Sequence, residues 1–328
     1  MRLILLSHFI MYYKLWFLLL LLASLKLDAQ KSSIPSFNVV PLGVKGGSDE
    51  SNLSSYMLAS VGTNNYICLD AGTIHSGIDK AVKAGIFSIT SEQVLKNYIK
   101  GYFISHPHLD HIAGLIINSP DDTAKNIYGT SFCLNIVKDK YFTWKNWANF
   151  ANEGDKPVLN KYHYTYLVEG EEAAIENTGM YVKAFTLSHS NPYQSTAFLV
   201  RSDSNYVLYL GDTGADEIEK SDLLHKLWQQ IAPLITSKKL KGIFIEVSFP
   251  NQQPVKQLFG HLTPNLLMQE MEKLSLLTGK RLLKNVKVLI THIKPAGNYE
   301  AAIRKQLLKA NKLQLQLIFP QQAVLLKL

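Results

Sequence analysis

The sequence predicts an α/β fold in which two mixed β-sheets pack face to face with helices outside, a four-layer αββα sandwich. Three observations predict it. Apolar β-type runs come first, then strand–helix units, then strands again, then further strand–helix units, an order that two packed sheets with outer helices satisfy. Composition is globular, with 47% hydrophobic and 18% charged residues, enough for a large core and against disorder. No internal repeat or low-complexity linker interrupts the chain of 328 residues, so residues 30–328 read as one domain.

Residues 1–29 stand apart as an expected signal peptide. Lys14 precedes the apolar run Leu15–Leu25, and Leu27-Asp28-Ala29 precedes Gln30. That is a charged region, an apolar region and a small-residue cleavage site. Met11 opens an equally complete signal. The run is short for a span of about 20 residues. Cleavage after Ala29 is therefore expected rather than membrane insertion, and the mature chain is expected to be secreted or periplasmic. No cysteine near the cleavage site offers a lipid anchor.

The formal charge is +8, and removing residues 1–29 takes away Arg2, Lys14 and Lys26 against Asp28. The remaining excess is spread along the chain. It suits steering of anionic substrates, and without a basic arm it does not point to nucleic acid. Cys68 and Cys133 both sit in apolar surroundings and read as buried thiols, although an oxidising compartment would permit a disulfide.

Phe37–Leu42, Ser54–Val61 and Tyr66–Asp70 read as a strand, a hairpin strand and its return, separated by Gly46-Gly47-Ser48-Asp49 and Gly62–Asn65. The Gly46-Gly47 segment reads as a plain turn first and as a loop over a pocket second. A helix follows around Ile78–Ala84. Tyr102–Ser105 is a strand, His111–Ile117 a helix ended by Ser119-Pro120, Ile127–Gly129 a strand and Thr130–Lys138 a helix. Residues 140–165 read as irregular and aromatic, either a wall for a planar base or a satellite hydrophobic cluster under a loop. Tyr181–Leu187, Ser195–Arg201 and Tyr206–Leu210 are strands, with a helix over about Ser221–Ile231. Gly242–Val247 is a strand, Ser248–Gln257 a loop, and Pro264–Ser275 a helix capped by Thr263. Val286–Ile290 is a strand and Ala301–Ala310 a helix. Leu313–Ile318 and Ala323–Leu326 are terminal strands.

The chemistry concentrates in Phe103–Pro120, which packs His106, His108, Asp110 and His111 into six positions between an apolar strand and a helical pattern. Imidazoles two apart in extended backbone point the same way. Asp110 and His111 sit where the chain turns into the helix and can return to the same point. Nitrogen donors with a carboxylate suit zinc, manganese or iron. The same logic recurs along the chain. Apolar strands run into His106, His189, Asp212, Glu246 and His292, and such strand ends commonly build sites in open sheets. His75, His163 and His225 read as surface or structural, and Asp79, Asp121 and Asp122 as solvated.

His106-Pro-His-Leu-Asp-His-Ile-Ala-Gly-Leu-Ile-Ile-Asn-Ser-Pro120, followed by the spaced His189, Asp212 and His292, resembles the signature of the class II cyclic-nucleotide phosphodiesterases of the metallo-β-lactamase superfamily. Leu69-Asp70-Ala71-Gly72-Thr73 and Gly260-His261-Leu262-Thr263-Pro264 are similar to that family as well, and the resemblance covers residues 36–328. It implies two divalent metal ions, zinc by default with manganese or iron as alternatives. His106, His108 and His189 would hold one, Asp110, His111 and His292 the other, with Asp212 bridging. Asp110, Glu246 and His261 are the expected catalytic side chains, His261 paired with Glu246 to serve the leaving oxygen. The implied reaction is attack of a metal-bound hydroxide on a 3′,5′-cyclic nucleotide, cAMP first and cGMP second, to give a 5′-nucleotide. The rival readings are an RNA-processing phosphodiesterase, lactonase or β-lactamase of the same fold, or a metal-binding protein without turnover. The sequence does not fix the oligomeric state.

Overall fold

The computed structural model describes residues 36–284 and 286–328. The expected signal segment over residues 1–29 lies outside the described residues. Residues 36–328 form one contact unit with two sheets of seven strands. The first runs, edge to edge, β14 (Leu326–Lys327), β1 (Phe37–Gly43), β2 (Ser55–Ser60), β3 (Tyr66–Leu69), β4 (Ile99–Phe103), β5 (Lys125–Gly129) and β6 (Tyr162–Tyr166). The second runs β13 (Gln316–Ile318), β12 (Lys287–Thr291), β11 (Leu240–Glu246), β10 (Asn205–Leu210), β9 (Gln194–Ser202), β8 (Met180–Ser188) and β7 (Ala173–Ile175).

Side-chain alternation sorts these strands into three cores. In β3, Ile67 and Leu69 face the opposite sheet, whereas Tyr66 and Cys68 face outward under helices. In β10, Val207 and Tyr209 point between the sheets, while Leu208 and Leu210 point outward. The inter-sheet core is dense in aromatics, with Phe103 stacked on Tyr128 at 4.4 Å and Phe198 edge-on to Phe103 at 5.5 Å. Helices His75–Lys83, Leu109–Asn118 and Ser131–Lys140 cover one outer face, and Leu223–Thr236, Pro264–Thr278 and Tyr299–Ala310 the other. Three apolar interfaces between four layers make the αββα sandwich.

Strand polarity is what positions the site. β3, β4, β5 and β6 are mutually parallel. β10, β11, β12 and β13 are too, and β8 shares their direction because it is antiparallel to β9, which is antiparallel to β10. The loops after the C-terminal ends of β3, β4, β8, β10, β11 and β12 carry the site.

Several local expectations are corrected. β6 lies at the end of the stretch read as irregular, and Phe142, Tyr162 and Tyr164 are core side chains of the first outer layer, so the aromatic run is mainly packing. A short π-helix, Val94–Tyr98, leads directly into β4, which begins three residues before the sequence signal. The helix expected to close at Ile231 continues to Thr236 through Pro233, keeping Ile235 in the core. The C-terminal strands are shorter than expected.

Asp122 is not solvated. It is buried beside Lys125 and accepts hydrogen bonds from Tyr102 Oη at 2.7 Å and Tyr162 Oη at 2.8 Å. Asp122→Ala leaves a buried ammonium and two hydroxyls without their acceptor, so we expect a loss of about 3–5 kcal/mol in urea unfolding. Adding Lys125→Met should recover part of that loss. A midpoint unchanged by Asp122→Ala would show the pair to be inconsequential.

Candidate metal centre

The helix Leu109–Asn118 begins with His108 at its N-cap in extended backbone, and Asp110 lies in its first turn, where the helix dipole favours a carboxylate. His106 precedes that cap by two residues, and His106 Nε2 lies 3.0 Å from His108 Nδ1. His111, one residue beyond Asp110, places its Nε2 3.0 Å from His292 Nε2. His189 directly follows β8 and His292 directly follows β12. Asp212 follows β10 by two residues and is buried.

All seven side chains expected as ligands therefore meet. Candidate ligand atoms of His106, His108 and His189 lie within 4.8 Å of one another, as do those of Asp110, His111 and His292. Asp212 lies between the two sets. Its Oδ2 is 3.7 Å from His106 Nε2, 3.9 Å from His189 Nε2, and 3.2 Å from both His111 Nε2 and His292 Nε2.

The remote nitrogens of four rings are held from behind, which turns Nε2 inward. His111 Nδ1–H donates to Asp70 Oδ2 at 2.7 Å, and His189 Nδ1–H to Gly260 O at 2.9 Å. His292 Nδ1–H donates to Ser248 Oγ at 3.0 Å, and His106 Nδ1–H to Ser105 Oγ at 3.0 Å. His108 presents Nδ1 instead, its ring stacked on Tyr193 at 4.8 Å. Burial holds His106, His189 and His292 below the ordinary imidazole range, and burial with the neighbouring His189 and His111 brings His108 to about 4. Burial alone would also lower His111, but the Asp212, Asp70 and Asp110 carboxylates outweigh it and raise this ring. Burial would raise Asp110 and Asp212, yet the surrounding imidazoles hold both carboxylates well down.

These nitrogen–nitrogen approaches, with two carboxylates among them, form a donor set that fits divalent first-row cations. Seven donors exceed the four that a tetrahedral ion takes.

Glu246 closes β11, and its Oε1 accepts from His261 Nδ1–H at 2.7 Å. Ser248 Oγ donates to Glu246 Oε2 at 2.7 Å and so links this pair to His292. Burial opposes the charge on both partners, but each outweighs it for the other: His261 is raised and Glu246 lowered. His261 is not the helix cap; Thr263 is, accepting from Leu266 N–H at 3.5 Å.

The Gly46-Gly47 segment is more than a turn. Gly47 N–H donates to Asp110 Oδ2 at 2.7 Å, and a Cβ on Gly46 would stand 2.2 Å from the His292 ring. No larger residue fits there. Sequence reasoning also gave Asp70 no role. It sits buried just past β3 at φ 55° and accepts from Ser105 N–H and Oγ–H, Tyr209 Oη–H and His111. Asp70→Asn leaves one acceptor oxygen for donors that now use two and removes the charge behind His111, so we expect metal affinity to fall about 10–100-fold in a chelator-competition titration. Wild-type affinity would reduce Asp70 to a packing residue. His75, His163 and His225 stay on the surface, with Asp79, Asn152 and Gln229 as neighbours.

Comparison with known proteins agrees with this architecture. The profile of the family described as cAMP phosphodiesterases class-II matches residues 37–318. A 3′,5′-cyclic-nucleotide phosphodiesterase of Aliivibrio fischeri is 43% identical over 88% of this chain and 91% of its own. A probable 3′,5′-cyclic-nucleotide phosphodiesterase of Yersinia pestis is 36% identical over 84% of this chain and 83% of its own. Among solved structures, unliganded yeast PDE1 superposes with a TM-score of 0.81 at 23% identity, over 90% of this chain and all of that one. The metallo-β-lactamase fold protein YhfI of Bacillus subtilis superposes at 0.58 with 16% identity, over 88% of this chain and 99% of its own. With the profile spanning both sheets and every residue of the centre, the chain belongs to the class II cAMP phosphodiesterases.

Proposed function

We propose that this protein hydrolyses 3′,5′-cyclic nucleotides to 5′-nucleotides at a binuclear centre, with cAMP the first substrate and cGMP the second. The carrying observation is Asp212 Oδ2 set between two triads of donors, with the Glu246–His261 pair beside them. His106, His108 and His189 would hold one ion, Asp110, His111 and His292 the other, and Asp212 both; zinc is the default because imidazole dominates the set. When bound, two such ions supply Lewis acidity at phosphorus and a nucleophile at neutral pH.

The protein's own groups supply the rest. The serine, carboxylate and carbonyl partners behind the imidazoles fix their aim before substrate arrives. Glu246 favours the protonated form of His261, and His261 N–H is the donor for the leaving O3′ as the P–O3′ bond breaks. Asp110 joins the centre to the Gly46-Gly47 loop, tying that loop to the second triad.

The export-type segment over residues 1–29 supports action outside the cell or in the periplasm. The test is to incubate zinc-loaded protein with cAMP, cGMP, bis(p-nitrophenyl) phosphate and a β-lactam, and to identify products by chromatography. We expect 5′-AMP and 5′-GMP, with the rate abolished by a chelator. Turnover of the β-lactam alone, or of no substrate, would overturn the reading.

A further inference from the structure

We propose that Lys294 receives a non-bridging oxygen of the substrate phosphate on the Asp110–His292 side of the centre, an inference that rests on the hydrolase reading above. Lys294 is two residues past His292 and only partly exposed. Its backbone N–H donates to Ser248 O at 3.2 Å, the serine that also bonds Glu246 and His292. Its stem passes Gly47, where an added Cβ would meet Lys294 Cδ at 3.3 Å. The side chain is therefore guided toward the centre by the same two loops that hold Asp110 and His292.

Its ammonium has no full partner there. Nζ stands 3.8 Å from Asp110 Oδ2, beyond hydrogen-bond reach. That oxygen already accepts from Gly47 N–H at 2.7 Å and lies 3.1 Å from His292 Nε2. Among the described residues no other carboxylate comes within ion-pair distance of Lys294. Once Asp110 is committed to a cation, the lysine faces the centre without a counter-charge. An anion is the missing partner, and a phosphodiester is the anion this site is built to take. A three-donor ammonium on a flexible stem suits a phosphate oxygen whose position shifts during the reaction.

The test uses the full-length, zinc-loaded protein, with inorganic phosphate as the calorimetric probe and cAMP as substrate. Lys294→Met should weaken phosphate binding and raise the KM for cAMP, each about 10–100-fold, the range for one charge-assisted hydrogen bond. Zinc content should be unchanged, and Lys294→Arg should recover most of the binding. Exposed Lys305, replaced by Met, is the charge control and should behave as wild type. Wild-type phosphate affinity in Lys294→Met overturns the assignment, as does an equal effect of Lys305→Met. If the wild-type protein binds phosphate through Lys294 yet leaves cAMP intact, the hydrolase reading falls and the anion-binding role stands.

Discussion

Asp212→Ala is expected to take cAMP turnover to the assay background, a loss of roughly 10³-fold or more, the scale on which preorganised charge at a reacting centre acts. No other side chain can replace it. Its Oδ2 is the atom shared between the His106/His189 side and the His111/His292 side, and Asp212 is buried there. Without it the imidazoles remain, but no carboxylate stands between the two sets. Zinc content measured by atomic absorption should fall with the rate. The rise in Tm on adding zinc, which reports preferential binding to the folded chain, should shrink in step. Full zinc content with wild-type turnover would remove Asp212 from the centre.

His261→Ala should behave differently. We expect kcat for cAMP to fall about 10²–10⁴-fold, the contribution of a positioned acid, with zinc content unchanged. The contrast lies in the leaving group. O3′ of ribose is a poor one and needs a proton, whereas p-nitrophenolate departs without help. The variant should therefore lose much less activity toward bis(p-nitrophenyl) phosphate than toward cAMP. Equal losses on the two substrates would make His261 a binding or packing residue. Glu246→Gln should show the same pattern in milder form, because it leaves His261 in place but removes the carboxylate 2.7 Å from its Nδ1.

How far the sequence speaks depends on whether a residue's role is local. His106, His108, Asp110 and His111 were legible because six positions and one helix start bring them together. His189, Asp212, Glu246 and His292 were legible because each ends an apolar strand, and parallel strands deliver their ends to one edge. Asp70 was not. In the sequence it is an acidic residue closing a β-type run; its role appears only when β3 lies beside β4 and Tyr209 arrives from the other sheet. Asp122 misled for the same reason, since Tyr102 and Tyr162, which bury it, are 20 and 40 residues away. Gly46-Gly47 carries a turn signature whatever it packs on, and only its closeness to Asp110 and His292 distinguishes it. Lys294 is one of many lysines until its surroundings are seen.

The two sheets contribute unequally but jointly to the donor set: His106, His108, Asp110 and His111 follow a strand of one, and His189, Asp212 and His292 follow strands of the other. Tyr209 reaching across to Asp70 already rivets the halves at that rim. Any ion gripped by both groups adds a second rivet, so fraying of this rim and escape of the ion become a single event. Amide hydrogen exchange along the ends of β4 and β10 should therefore quicken on chelation, while the far rim of the sandwich exchanges at its former pace.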